Sequence, residues 1–176
     1  MEYKLIAKDE EAALNLPNEP FELYGKLVVS LNNKQWTYKE EMFEQVEEQT
    51  FPEENYIYEE IVEKGFAIGA FQDSKCVALA IFENHWNKYM YLADLKVMKA
   101  YRRFGHGQAL IKQGLIEAQS LSYKGVFTIG QDNNLGACKF YLNQGFEIGG
   151  FNNYDYDFTQ QEGKSDIYFY LNEMRN

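Results

Sequence analysis

The sequence predicts an α+β fold, a central mixed but mostly antiparallel sheet with helices on both faces, and three observations lead there. In the run Leu95-Lys96-Val97-Met98-Lys99-Ala100-Tyr101-Arg102-Arg103-Phe104-Gly105-His106-Gly107-Gln108-Ala109-Leu110-Ile111, an apolar strand breaks into a glycine-bearing loop that opens an amphipathic helix. After that helix the chain returns to a short apolar strand, Val126 to Gly130, and strand, helix, strand is a right-handed crossover between neighbouring parallel strands. Two further apolar runs, Gly65 to Gln72 and Lys75 to Phe82, are separated only by Asp73-Ser74, the two-residue link of an antiparallel hairpin.

The other elements fall around these. Glu2 to Ala7 is expected as a first strand, and Thr37 to Gln49 as an amphipathic helix whose apolar side carries Trp36, Phe43 and Val46. Tyr89 to Met98 is then the fourth strand and Val126 to Gly130 the fifth. The central helix, Gly107 to Leu121, sets Leu110, Ile111, Leu115 and Ala118 on one side. A second helix begins at Asn134, an N-cap residue, and stops before Gly145, the residue type that ends helices in a left-handed turn. Strands follow from Phe146 through Phe151 and from Asp166 to Leu171. With no repeat or low-complexity tract, residues 1–176 are expected to form a single domain.

The loop after the fourth strand is suited to phosphate. Gly105 and Gly107 lack Cβ atoms, so the backbone can turn tightly against an anion, and the amides of the first helical turn face it with the positive end of the helix dipole behind them. Arg102 and Arg103 add charge at the same mouth. Neither a Walker loop nor a Gly-x-Gly-x-x-Gly dinucleotide fingerprint is present.

What stands is Arg102-x-x-Gly105-x-Gly107, which resembles the pyrophosphate loop of the GNAT acyl-CoA N-acyltransferases. Asn133-Asn134-Leu135-Gly136-Ala137-Cys138-Lys139-Phe140-Tyr141-Leu142-Asn143-Gln144-Gly145-Phe146 is similar to that family's Asn-x-x-Ala-x-x-x-Tyr helix followed by Gly-Phe. The resemblance runs from Gly65 to the C-terminus and is thin before it. It implies the GNAT fold, in which the parallel fourth and fifth strands splay apart to admit acetyl-CoA as cosubstrate. It also implies that backbone groups of Leu95, Lys96 and Val97 bind the pantetheine arm. Arg102, Arg103, Phe104, Gly105, His106 and Gly107 would bind the pyrophosphate, and Asn134 the CoA arm. Asp94 is the candidate general base, directly or through a water, and equally a structural or substrate-binding acid. A main-chain N–H near Val97 would stabilise the oxyanion, and Tyr141 would protonate the leaving thiolate.

The net charge of −10 on 176 residues makes nucleic acid an unsuitable partner and favours a cationic one. Acids concentrate between Glu40 and Glu63. A solvated helix face and a surface that steers a polycation both account for them. No apolar run approaches 18 residues, so no membrane partner is expected, and the start of the chain lacks a signal-peptide pattern, which makes the cytoplasm the expected compartment. Cys76 and Cys138 are too few for a disulfide framework and lack metal-ligand spacing, and no metal site is expected. A homodimer is compatible with the sequence, which does not decide it.

Trp86-Asn87, Asn133-Asn134, Gly149-Gly150 and the following Tyr154 and Tyr156 look like the streptothricin acetyltransferases, a group that acetylates an amine of a cationic antibiotic. That resemblance implies a role in antibiotic resistance and an acceptor site that includes Trp86, Tyr154, Asp155 and Asp157, able to hold an ammonium by charge and cation–π contact. Two alternatives remain open: an acetyltransferase of a protein or peptide amine or a polyamine, and a non-catalytic acyl-CoA-binding domain.

Overall fold

The computed structural model describes residues 1–172. The chain folds into two compact units, one of Met1–Glu19, Phe51–Val126 and Asn172, the other of Pro20–Thr50 and Phe127–Leu171.

The first unit carries a four-stranded antiparallel sheet in the order β1 (Glu2–Leu5), β4 (Gly65–Gln72), β5 (Lys75–Glu83), β6 (Tyr89–Val97). Asp73 and Ser74 both take positive φ, 49° and 65°, so the hairpin turn has the handedness that matches strand twist. Every residue from Val77 to Phe82 is buried, because β5 is covered on both faces. Leu79 and Ile81 meet Ile6, Leu14, Leu16 and Ile61, the last from helix α1 (Tyr58–Lys64). Helix α2 (His106–Ser120) packs against β4, β5 and β6 with Leu110, Ile111, Gly114 and Ala118 buried. Its approach depends on Gly114: a Cβ there would come within 2.0 Å of the Phe82 ring, which is itself fully buried.

The second unit opens with a long hairpin, β2 (Phe21–Asn32) and β3 (Gln35–Gln49). The expected helix over Thr37 to Gln49 is therefore a strand. The reversal at Asn33 and Lys34, with φ of 48° and 63°, sets up an antiparallel return, and Leu23, Gly25 and Leu27 alternate inward on β2 to give β3 a partner. Tertiary pairing overrides the helix propensity of the Glu-rich run. The register slips between Leu23, opposite Glu47, and Gly25, opposite Met42, which places Phe43 to Val46 in a broad bulge. Acids expected on a helix face thus lie on an exposed strand, two of them paired, Glu40 with Lys139 at 3.0 Å and Glu41 with Lys39 at 2.9 Å.

Strand β7 (Gly125–Gln131), which begins at the end of the first unit, joins β9 (Asp166–Asn172) and β8 (Glu147–Asn152) in the order β7, β9, β8. Helix α3 (Leu135–Asn143) packs on β2, and the Leu27 amide donates to the Asp132 carbonyl at 2.9 Å just ahead of it. Among the described residues no helix is long and apolar enough to cross a membrane.

Gly114→Ala tests the close approach of α2. In an open helix the change would stabilise by about 1 kcal/mol, whereas the Phe82 contact predicts destabilisation by about 1–3 kcal/mol. Urea unfolding of the two proteins reads the sign.

Candidate active site

Strand β6 carries the expected base Asp94 and a buried cluster of charged side chains. Ile81 lies opposite Asp94 and Phe82 opposite Leu92, so Ala93 is the extra residue of a bulge. A bulge bends its strand and re-aims the neighbouring side chain, here Asp94. Asp94 and Lys96 are two apart and share a face. The Lys96 ammonium lies 3.3 Å from the Asp94 carboxylate as an ion pair, donates to the Glu54 carboxylate and to the Leu16 carbonyl at 3.4 Å, and lies 5.6 Å from the centre of the Tyr56 ring. The Tyr56 hydroxyl donates to Asp94 Oδ2 at 3.1 Å. The side chains of Lys96 and Asp94 are only 8% and 15% exposed, and that of Glu54 is 35% exposed.

These charges are shifted by their surroundings. Burial pushes the Asp94 carboxyl above the usual range; the Lys96 charge opposes the shift and the Glu54 charge adds to it. Burial acts on Glu54 too, but hydrogen bonds from Lys96 and Asn18 outweigh it and hold that carboxyl below its ordinary value. The Tyr56 phenol is raised by burial and by the Asp94 charge, so it stays a donor. A shielded carboxylate with a raised pKa is suited to accept a proton near neutral pH.

From β6 a 3₁₀ turn at Lys99–Tyr101 leads into the expected anion loop. Arg103 adopts φ 67° and Gly105 φ 84°, and left-handed residues this close together make a concave run of backbone amides. A Cβ on Gly105 would meet nothing within 4 Å, so the loop leaves open space at this left-handed position. The helical ladder begins with the Ala109 amide on the Gly105 carbonyl, leaving the amides of His106, Gly107 and Gln108 as first-turn donors. This geometry fits a pyrophosphate.

The side chains of the loop divide their work. Arg103 and Phe104 are exposed. Arg102 instead turns back: its Nε donates to the Val97 carbonyl at 3.0 Å and its guanidinium lies 3.9 Å from the Glu19 carboxylate. It braces the loop against the end of β6. His106 Nδ1 hydrogen-bonds the Tyr3 hydroxyl at 2.7 Å beside the rings of Tyr101 and Phe104.

The remaining expected site residues occupy other elements. Trp86, between β5 and β6, is 89% exposed. In the second unit, Asn134 Oδ1 accepts from the Ala137 amide at 3.1 Å and so caps α3, two turns before Tyr141, whose ring packs on Phe140, Phe146 and Phe169. Tyr154, Asp155 and Asp157 lie in the segment joining β8 and β9, with Tyr154 and Asp155 exposed and Asp157 half-buried. Tyr156 of the same segment is a structural tie: it donates to Asp166 at 2.8 Å and accepts from Gln131 at 2.9 Å. Sequence reasoning missed Glu54, Tyr56, Glu19, Tyr3 and the side chain of Lys96. A lysine inside the apolar run Leu95-Lys96-Val97 is the one signal the sequence carries for them.

Comparison with known proteins identifies the family. The acetyltransferase (GNAT) family matches residues 28–146, more than half of the chain. Streptothricin acetyltransferase A of Bacillus subtilis strain 168 is 31% identical over 136 residues, which are 77% of this chain and 79% of that protein. A Bacillus anthracis protein assigned as a streptothricin acetyltransferase, solved with acetyl coenzyme A, superposes with a TM-score of 0.88 at 26% identity, covering 98% of this chain and 99% of that one. A nourseothricin acetyltransferase shares the fold at a TM-score of 0.79 and 18% identity over 97% of each chain. Because the match spans both the bulged strand and the anion loop, this chain belongs to the GNAT acetyltransferase family, with that family's α+β fold and acyl-CoA-dependent N-acetyltransferase activity.

Proposed function

We propose that the protein moves an acetyl group from acetyl-CoA to a primary amine of a small cationic acceptor of the streptothricin type, and so confers resistance to that antibiotic. The observation that carries the acceptor is the 31% identity to Streptothricin acetyltransferase A over 77% of the chain. The net charge of −10 supports a cationic acceptor.

Acetyl-CoA, when bound, supplies an activated thioester carbonyl. In this reading the amides of Gly105, His106 and Gly107 hold its pyrophosphate together with Arg103 and Phe104, while Arg102 shapes the loop. Backbone groups of Leu95 and Lys96 hold the pantetheine arm, with Asn134 on the same arm. Asp94, directly or through a water, takes the proton of the acceptor ammonium so that its nitrogen lone pair is free. The Val97 N–H stabilises developing oxyanion charge, and Tyr141 gives its hydroxyl proton to the departing thiolate. Trp86, Tyr154, Asp155 and Asp157 recognise the cation.

A thiol-release assay across streptothricin, aminoglycosides, polyamines and N-terminal peptides tests the acceptor. Streptothricin is expected to give the highest kcat/KM, falling as salt rises, and Asp155→Asn with Asp157→Asn is expected to weaken it selectively and flatten the salt dependence. Preference for a peptide or polyamine overturns the antibiotic assignment. Tyr141→Phe keeps the ring packing and removes the proton, so turnover should drop about 100-fold with little change in acetyl-CoA affinity; unaltered turnover returns Tyr141 to packing.

Acetyl-CoA at about 100 times its Kd should add about 2.7 kcal/mol to stability, a rise of several degrees in Tm. Gly105→Val puts a branched side chain into the cradle at a left-handed position and should abolish that rise. A full ligand response in the variant removes the loop from cofactor binding.

A further inference from the structure

We propose that Lys96 is a positioning residue for proton transfer: its ammonium, fixed by Glu54 and the Leu16 carbonyl, holds the Asp94 carboxylate in place and charged inside a buried site. The proposal rests on the reading of Asp94 as the base.

A carboxylate with 15% exposure is disfavoured in its charged form, and a protonated Asp94 cannot accept the proton of the acceptor ammonium. Among the described residues, two side chains contact the Asp94 carboxylate as donors. Tyr56 gives one neutral hydrogen bond at 3.1 Å, and Lys96 gives one charged contact at 3.3 Å. Lys96 has little freedom, since it is 8% exposed and also engaged by Glu54 and the Leu16 carbonyl. The charged and titratable groups that face Asp94 are Lys96 from its own strand, and Tyr56 and Glu54 from the segment before α1. Glu83 of β5 acts on Tyr56.

Two carboxylates share one ammonium, so the cluster carries a net charge of about −1 in the absence of other ions. The two partners must therefore act on Asp94 in opposite directions. Removing Lys96 leaves Asp94 and Glu54 facing each other without a cation, which favours a proton on Asp94. Removing the Glu54 charge leaves Lys96 to Asp94 alone, which favours the carboxylate. A purely structural ion pair would also move the Asp94 titration, but it would leave the acidic limb of kcat/KM in place.

The experiment uses the full chain saturated with acetyl-CoA and the amine that gives the highest kcat/KM in the panel above. kcat/KM is followed from pH 5 to 9 in the wild type, Lys96→Met, Glu54→Gln and Asp94→Asn. The Asp94 carboxyl is titrated in parallel by ¹³C NMR of aspartate-labelled protein, with Asp94→Asn giving the assignment. The expected result is that Lys96→Met moves both the acidic limb and the Asp94 titration to higher pH by about one pH unit. Glu54→Gln should move both to lower pH, and Asp94→Asn should remove the limb. If the Asp94 titration stays put in Lys96→Met and Glu54→Gln, the proposal is overturned while the base reading stands. If the titration moves and the limb does not, Asp94 is not the base, and the role of Lys96 falls with it. Should Lys96→Met fail to fold by circular dichroism, Lys96→Gln replaces it: an upward movement of both limb and titration supports the proposal, and no movement overturns it.

Discussion

The burial of the Lys96 ammonium is the constraint on which the packing around β6 in the first unit depends. An ion taken out of water is tolerated only when charges and dipoles replace its hydration, and here they come from Asp94, Glu54 and the Leu16 carbonyl. Two of these partners are far away in sequence. Satisfying one lysine therefore pins the segments around Leu16 and Glu54 to the bulged part of β6. Asn18 strengthens the arrangement, its backbone amide donating to Glu53 at 3.1 Å and its side chain to Glu54 at 2.9 Å.

The same N-terminal segment reaches the anion loop. Glu19 accepts from the Lys99 amide at the start of the 3₁₀ turn and lies beside the Arg102 guanidinium. Arg102 in turn holds the Val97 carbonyl. The stretch from Leu16 to Glu19 thus contacts both the acid cluster and the base of the loop, and Tyr3 adds a third tie through His106. A left-handed residue such as Arg103 is held in a sparsely populated conformation only when its surroundings fix it, and these ties supply that fixation.

In the second unit the organising contact is that of β2 with α3. Gly25 bridges to Asn134, and a Cβ at Gly25 would come within 2.6 Å of the Glu41 carbonyl and 2.8 Å of Leu135. The hairpin can lie this close to the capped end of α3 only because position 25 is glycine. The ion pair of Glu40 with Lys139 fastens the outer strand to the same helix. Burial raises the Cys138 thiol to about 12, as expected for an inert core residue of α3.

Local signals alone determined much of this protein. The hairpin at Asp73-Ser74, the strand, loop and helix from Tyr89 to Ser120, and the Asn134 cap with Gly145 beyond its end each rest on residues within a few positions of one another. Their turn, capping and periodicity rules act at that range. The stretch from Thr37 to Gln49 read as a helix because its strand character comes from β2, a partner that no local rule supplies. The setting of Asp94 was likewise invisible. Its position on a strand was legible, but its proton affinity depends on Lys96, Tyr56 and Glu54, the last two about 40 residues away. Electrostatics acts through space, so only the folded chain decided which charges meet.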